Sequence, residues 1–217
     1  MAAFDREEQE QISQIKGWWE QFGTLVTGAA VAAALASVGW QGWQWYQGKQ
    51  SAEASALYAV LQKAASEKNA QKAREAAGTL LEKYNGTAYA DMAALLSAKV
   101  QADAGDLKNA RVPLAWAATK ANDPALRELA RLRLATVLFD DKAYDEALAQ
   151  LQAPTDESLV ARFADLKGDI LLAQGKREEA KAAYKAVVAD LEKATKGESA
   201  ALREIAQAKL DAVGGAQ

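Results

Sequence analysis

From Phe22 to Trp40 the chain carries no charged side chain, and tryptophans crowd both ends of that run. Trp18 and Trp19 precede it, Trp40 closes it, and Trp43, Trp45 and Tyr46 follow; of the six tryptophans only Trp116 lies elsewhere. Indole rings are amphipathic and settle at the headgroup level of a bilayer, so aromatic clusters bracketing an uncharged run mark two membrane interfaces. As a helix rising 1.5 Å per residue, the run covers roughly 28 Å, close to the ~30 Å hydrocarbon core. The sequence predicts a transmembrane anchor with Phe22, Leu25, Gly28, Ala32, Ala36 and Trp40 along it. Trp18, Trp19, Trp43, Trp45 and Tyr46 are its interface aromatics.

A buried helix of a soluble domain would not need indoles at both ends. A cleaved signal peptide has a possible processing site, Ala34-Leu35-Ala36 before Ser37, but needs a basic leading segment. Here Asp5, Glu7, Glu8, Glu10 and Glu20 outweigh Arg6 and Lys16. Charge leaves the orientation tied, with Arg6 and Lys16 on one side and Lys49 and Lys63 on the other. The usual fate of an N-terminal signal anchor puts the short tail inside and the long C-terminal part outside.

The chain has no cysteine and no histidine. That removes disulfides, thiolate nucleophiles, zinc-thiolate sites and a lipidated cysteine, leaving the peptide span as the anchor. It also removes the commonest general base and the commonest transition-metal ligand. From Lys49 onward there are 24 basic and 24 acidic residues, so the net charge of −3 resides in the first 21 residues. A neutral, well-mixed surface offers no footprint for a phosphate backbone, and no nucleic-acid partner is expected. No nucleotide motif, metal cluster or catalytic triad is present, so no cofactor, small-molecule substrate or enzymatic activity is expected either.

From about Ser51 to Val213 the composition is dominated by strong helix formers. Between Lys176 and Lys193, the residues Ala180, Ala183, Tyr184, Val187, Val188 and Leu191 recur at helical spacing and form one apolar face. Breaks come at Asn69, Asn85-Gly86, Gly105-Asp106, Asn122-Asp123-Pro124, Asp140-Asp141, Pro154 to Asp156, Gly175 and Gly197. Short turns make adjacent helices antiparallel, and roughly nine helices follow in consecutive hairpins. Ala147 aligns with Ala180 at a spacing of 33 residues; steps of 37 bring Ala98 and Ala110, then Leu61 and Ala73, into register with Ala135 and Ala147. Periods near 34 point to tetratricopeptide repeats, which need small residues where paired helices cross.

Gly168, Ala180 and the aromatic Tyr184 fit that pattern best. The repeats are degenerate: none has a large aromatic near its start, Leu61 replaces a small residue, and Pro113 falls inside a helix, where a kink is expected. The predicted fold is all-α, an N-terminal transmembrane helix followed by a tetratricopeptide-like α-solenoid of degenerate hairpins. An irregular helical bundle with coincidental spacing is the alternative. The domains expected are a tail at 1–21, the span with its flanks at 22–46, and the helical domain at 47–217.

Stacked hairpins of this kind make an extended surface, lined by the first helix of each pair, that suits a segment of another protein. The groove-facing repeat positions nominate Tyr58, Gln62, Met92, Lys99, Thr136, Phe139, Arg162, Asp165 and Asp169. The last helix, Glu198 to Val213, reads as a solubilising cap. Asp140-Asp141 is expected to solvate its turn and cap the next helix. Asn85-Gly86-Thr87 reads as a turn before a helix, and Gly214-Gly215 as part of a frayed tail. Gly28, Ala32 and Ala36, like Ala29, Ala33 and Ser37, are spaced four apart and allow close helix approach in lipid, as alanine-rich helices often do.

The acidic tail, the single aromatic-flanked span with Gly39-Trp40-Gln41-Gly42-Trp43-Gln44-Trp45-Tyr46 at its exit, and the degenerate repeats from Ser51 to Tyr58 onward resemble one bacterial family. The chain is similar throughout, including Asn69 to Tyr84 and the Tyr84-Asn85-Gly86-Thr87 turn, to the YfgM-type ancillary subunits of the SecYEG translocon. Proline is common in related repeats where Asn85 stands. The resemblance implies a non-enzymatic inner-membrane adaptor with a cytoplasmic N-terminus and a periplasmic helical domain. It also implies association with SecYEG subunits and with a membrane-anchored periplasmic chaperone of the prolyl-isomerase type. A scaffold for another envelope complex, in cell-wall synthesis or division, is the alternative use of the same groove.

Overall fold

The structure, a computed structural model, describes the backbone of residues 4–192 and 197–214 and the side chains of 11–192 and 197–214. The acidic side chains of Asp5, Glu7, Glu8 and Glu10 therefore lie outside the described residues, as do Lys193 and Gly215. The elements are all helical: α1 (Phe4–Ser66), α2 (Ala70–Lys83), α3 (Ala88–Asp103), α4 (Leu107–Lys120), α5 (Pro124–Asp140), α6 (Tyr144–Gln150), α7 (Glu157–Ala173), α8 (Arg177–Asp190) and α9 (Gly197–Gly214). The breaks expected from turn residues fall between two helices or at a helix end, with Pro124 and Asp140 bounding α5 and Gly197 opening α9. Two compact units result, residues 1–50 and 51–217.

The second unit is built from a turn used four times. Lys68, Gly105, Lys142 and Gly175 all adopt left-handed backbone angles, with φ of 55°, 78°, 60° and 78°. Their spacings of 37, 37 and 33 residues equal those of the sequence repeat. Each ends the first helix of a pair. The next amide donates back across the turn, from Asn69 to Ala64, Asp106 to Gln101, Ala143 to Leu138 and Lys176 to Leu171, at 2.8–2.9 Å. This bonding satisfies carbonyls that a helix C-terminus otherwise leaves bare, and it reverses the chain at once. Side chains then start several of the following helices: Asn69 accepts from the Lys72 amide and Asp106 from the Asn109 amide. Asp123 and Asp156 similarly cap α5 and α7.

The expected cap at Asp140-Asp141 is not formed. Ala143 occupies the N-cap of α6 without a side-chain bond. The left-handed Lys142 turns the chain so that Asp141 instead pairs with Arg111 of α4. Helix α4 runs through the buried Pro113 to Lys120.

Small residues mark the crossings. Ala73, Ala98, Ala110, Ala135, Ala147 and Ala180 are all buried, and so is Leu61, the one large residue at such a position. Gly168 gives the tightest case: a Cβ placed there would lie 2.4 Å from Cε1 of Tyr184. The Tyr184 ring thus fills the space that the missing side chain leaves. One apolar cluster, around Leu114, Leu134, Leu138, Phe163 and Ile170, runs from α3 to α7. A second, around Leu61, Leu80 and Val100, packs the C-terminal part of α1 against α2 and α3.

Two buried carboxylates link consecutive repeats. Asp91 of α3, 2% exposed, accepts the Asn122 amide at 3.0 Å in the α4–α5 connection. Glu128 of α5 stands 37 residues later. It is 9% exposed and accepts the Thr155 hydroxyl, the Asp156 amide at 3.0 Å and the Thr155 amide at 2.8 Å, in the α6–α7 connection. Burying charge is costly unless it is so bonded; Glu128 is bonded through both oxygens, whereas the second oxygen of Asp91 is buried without a partner among the described residues. The Thr155 hydroxyl first, then the two amides, hold the Glu128 carboxyl below its ordinary value, against the opposing effect of burial.

Gly168→Ala should destabilise the helical unit by about 1–3 kcal/mol through overpacking against Tyr184. Gly78→Ala, a mid-helix site with open space around it, should instead stabilise it by about 0.5–1 kcal/mol; urea midpoints followed by helical circular dichroism separate them. A carboxyl with a lowered folded-state pKa adds stability that is complete above its unfolded value and fades as pH falls through the folded one. Glu128→Gln should therefore cost stability at neutral pH and lose less of it than wild type does as pH drops below 4.5, in urea midpoints measured across a pH series.

Candidate membrane helix and partner groove

Along the apolar run the large side chains of α1 lie exposed. Leu25 is 73% and Leu35 69% exposed, and Val31, Val38 and Trp40 are exposed as well. The helix is long and apolar enough to cross a membrane. A large exposed apolar surface marks a membrane or protein contact, since water gains nothing by wetting it. Gly28 has open space around it, and its neighbours in the small-residue stripe, Ala32 and Ala36, are exposed.

Aromatic clusters are built at both ends. Trp18 lies 5.8 Å from Phe22 between ring centroids, and Trp19 spreads its indole over Gly23, where a Cβ would meet Nε1 at 3.1 Å. At the other end Trp43 approaches Tyr46 at 6.3 Å, and Lys49 sets its ammonium 5.8 Å from the Trp45 ring. Gln50 donates to the Tyr46 hydroxyl at 3.0 Å. Each end therefore offers ring surface beside polar groups, the chemistry of a headgroup layer.

The nine nominated groove residues fall into three groups. Tyr58 packs against Tyr89 at 5.8 Å between centroids, while Gln62 and Met92 are exposed beside that pair's helices. Phe139 turns toward Tyr144, 6.0 Å away, and joins the edge of the main apolar cluster. The others line two cavities. Lys99 and Thr136 border one of about 350 Å³, floored by Leu95, Leu114 and Val137 between α3, α4 and α5. Thr136, Arg162, Asp165 and Asp169 border a second of about 370 Å³, with Leu132, Leu166, Leu202 and Ile205. Thr136 is common to both.

The charged residues around the second cavity are already paired within the chain. Lys209 of α9 donates to both oxygens of Asp165 at 2.9 and 3.0 Å and lies 2.8 Å from the Asp169 carboxylate. Asp169 also accepts the Tyr184 hydroxyl at 2.8 Å, and the Lys209 ammonium sits 5.5 Å from the Tyr184 ring centroid. Arg162 pairs with Glu198 of the same last helix. Burial first, then the bond to Asp169 and the nearby carboxylates, push the Tyr184 hydroxyl well above its ordinary range. Burial pulls the Lys209 ammonium down, but the bonds and charges of Asp169 and Asp165 outweigh it and the net shift is upward.

Such groups are fixed in their charged or neutral forms near neutral pH, which suits holding helices rather than transferring protons. Helix α9 is thus more than a solubilising cap. Lys209 reaches partners 40 and 44 residues earlier, a connection that no local sequence signal announces.

Among the described residues one apolar helix, long enough to cross a membrane and aromatic at both ends, precedes hairpins packed on small crossing residues, the arrangement of a tetratricopeptide-like protein with a candidate membrane anchor. Residues 16–215 match the family model for a tetratricopeptide repeat-like domain. A relative from Neisseria gonorrhoeae is 29% identical over 208 residues, 95% of this chain and 97% of its own. One from Haemophilus influenzae is 32% identical over 183 residues, 84% of this chain and 89% of its own. A third, from Escherichia coli, is 33% identical over 104 residues, about half of each chain. All three are named ancillary SecYEG translocon subunits, and this chain belongs to that family.

The span is alanine-rich, so its insertion has little surplus. Leu35→Arg should cost roughly 3 kcal/mol of insertion free energy and move most of the protein out of the carbonate-resistant membrane fraction. The urea midpoint of the 51–217 unit should not change.

Proposed function

We propose that this protein is a non-enzymatic adaptor held at the SecYEG translocon by α1, which crosses the bacterial inner membrane once. Its short tail, residues 1–21, is cytoplasmic, and the helical domain from residue 47 is periplasmic. There it receives emerging polypeptides and passes them to periplasmic chaperones, with a membrane-anchored chaperone of the prolyl-isomerase type as its standing partner.

The observation that carries this reading is likeness over nearly the whole chain, span included, to proteins named as ancillary translocon subunits. Two physical features support it. The large apolar side chains from Phe22 to Trp40 are exposed. The helical unit has balanced charge, so its cavities hold a chain by packing rather than by a strong field.

In-cell crosslinking, gentle detergent extraction of the full-length protein and mass spectrometry of its partners test the proposal. Channel subunits and a membrane-anchored chaperone are expected, and replacing Phe22 to Trp40 with an unrelated apolar span should abolish channel recovery. Persistent recovery of cell-wall or division proteins without channel subunits would contradict it.

A further inference from the structure

The two cavities differ in what they leave unmet. Around the α7–α9 cavity, Arg162, Asp165 and Asp169 are taken up by Glu198 and Lys209. Around the α3–α5 cavity, Lys99 is paired with Asp103. Arg133 and Asp140 also line it, both exposed, and neither has an ionic or hydrogen-bonding partner among the described residues. They stand seven residues apart on α5, two helical turns and roughly 10.5 Å along one face. Between and beside them lies an apolar floor of Leu95, Ala98, Ala102, Leu114 and Val137. The site is an aliphatic trough with one free cation at one end and one free anion at the other.

We propose that the α3–α5 cavity docks an amphipathic helix of a partner protein. That helix carries a carboxylate and, seven residues away, a lysine or arginine, with aliphatic side chains at the intervening i+3 and i+4 positions. The periods match: a helix repeats its face at i+3, i+4 and i+7, so one stripe presents both charges and the aliphatic pair together. Laid along α5 it sets its carboxylate at Arg133 and its base at Asp140, while the aliphatic pair enters the trough. The volume of about 350 Å³ is in the range that takes side chains rather than a whole helix. Charge complementarity here selects the partner and its register, and the apolar floor supplies the attraction. The inference rests on the groove reading above and adds the identity of its occupant.

Three fluorescent peptides of alanine and glutamine, each about five helical turns long, test it. All carry two adjacent leucines at mid-length, with one charged residue three positions before the first leucine and another three positions after the second. The charged pair is glutamate and lysine in the first peptide, two glutamates in the second and two lysines in the third. Anisotropy is measured against the full-length protein in phosphatidylcholine nanodiscs, with empty nanodiscs subtracted. Wild type should bind the glutamate-and-lysine peptide at least about fivefold tighter than either like-charged one, because a mismatch replaces an attraction with a repulsion at an exposed pair. Asp140→Arg should move the preference to the two-acid peptide and Arg133→Asp to the two-base peptide, both variants being at solvated positions.

Absence of binding, equal affinity for all three, or a preference that the substitutions do not move would overturn the proposal. So would undiminished binding of a peptide with proline directly after the leucine pair, which cannot hold the helix. Recovery of channel subunits and chaperone that Arg133→Asp leaves unchanged would overturn this occupant while leaving the adaptor reading in place.

Discussion

Close approach of paired helices is the constraint from which the helical unit follows, because two backbones meet only where neither presents a large side chain. Gly168 shows the limit, with the Tyr184 ring standing where its Cβ would be. Alanines do the same work at the other crossings, except in the first pair, where Leu61 is buried at the equivalent position. The approach is then fixed by a turn that reverses the chain within three residues, through a left-handed residue and a back-donated amide, at 68, 105, 142 and 175. Glycine takes that conformation freely, and two of the four turns have it. Lysine occupies the other two, at a cost of about 1–2 kcal/mol each in left-handed backbone. Buried carboxylates at 91 and 128 hold the α4–α5 and α6–α7 connections to the repeat that precedes each, so there the period in sequence becomes a period in space.

The two units meet opposite demands on apolar surface. Past residue 50, leucine, alanine and valine are consumed between helices, and the charges outside them balance. Between Phe22 and Trp40 the apolar side chains point outward all round the helix. Such a helix in water would expose several hundred Å² of hydrocarbon, which soluble proteins avoid. Lipid resolves the conflict, and the aromatic clusters at Trp18 to Phe22 and Trp43 to Tyr46 suit the two places where lipid gives way to water.

Much of this was legible in the residues. Helix ends were announced by Asn, Asp, Gly and Pro, whose short or constrained side chains favour caps and turns, and all eight expected breaks occur. The crossing residues were found because smallness at a fixed period has few other causes. The left-handed lysines were not, since lysine carries no preference for that conformation. Asp91 and Glu128 carry a faint signal, acids at the same repeat position 37 residues apart, but surface acids recur at such spacings as well. The clasp of Lys209 on Asp165 and Asp169 had none, because it joins residues from the two ends of the last repeat. It also sets apart the nominated groove residues that α9 already pairs, Arg162, Asp165 and Asp169, from Lys99 and Thr136 beside the α3–α5 cavity. Phe139 shared the period of the groove positions, yet its ring turned to the neighbouring Tyr144.

The central claim is that lipid covers α1 between two aromatic interfaces while the helical unit stands in water on one side. Because the chain has no cysteine, single cysteines introduced at Ser13, Gly28, Leu35, Gln50 and Lys68 can be probed in intact cells with a membrane-impermeant maleimide. The account predicts labelling at 50 and 68 from outside the inner membrane, labelling at 13 only after that membrane is opened, and none at 28 or 35 until detergent is added. Free labelling at 28 and 35 in intact membranes would contradict it.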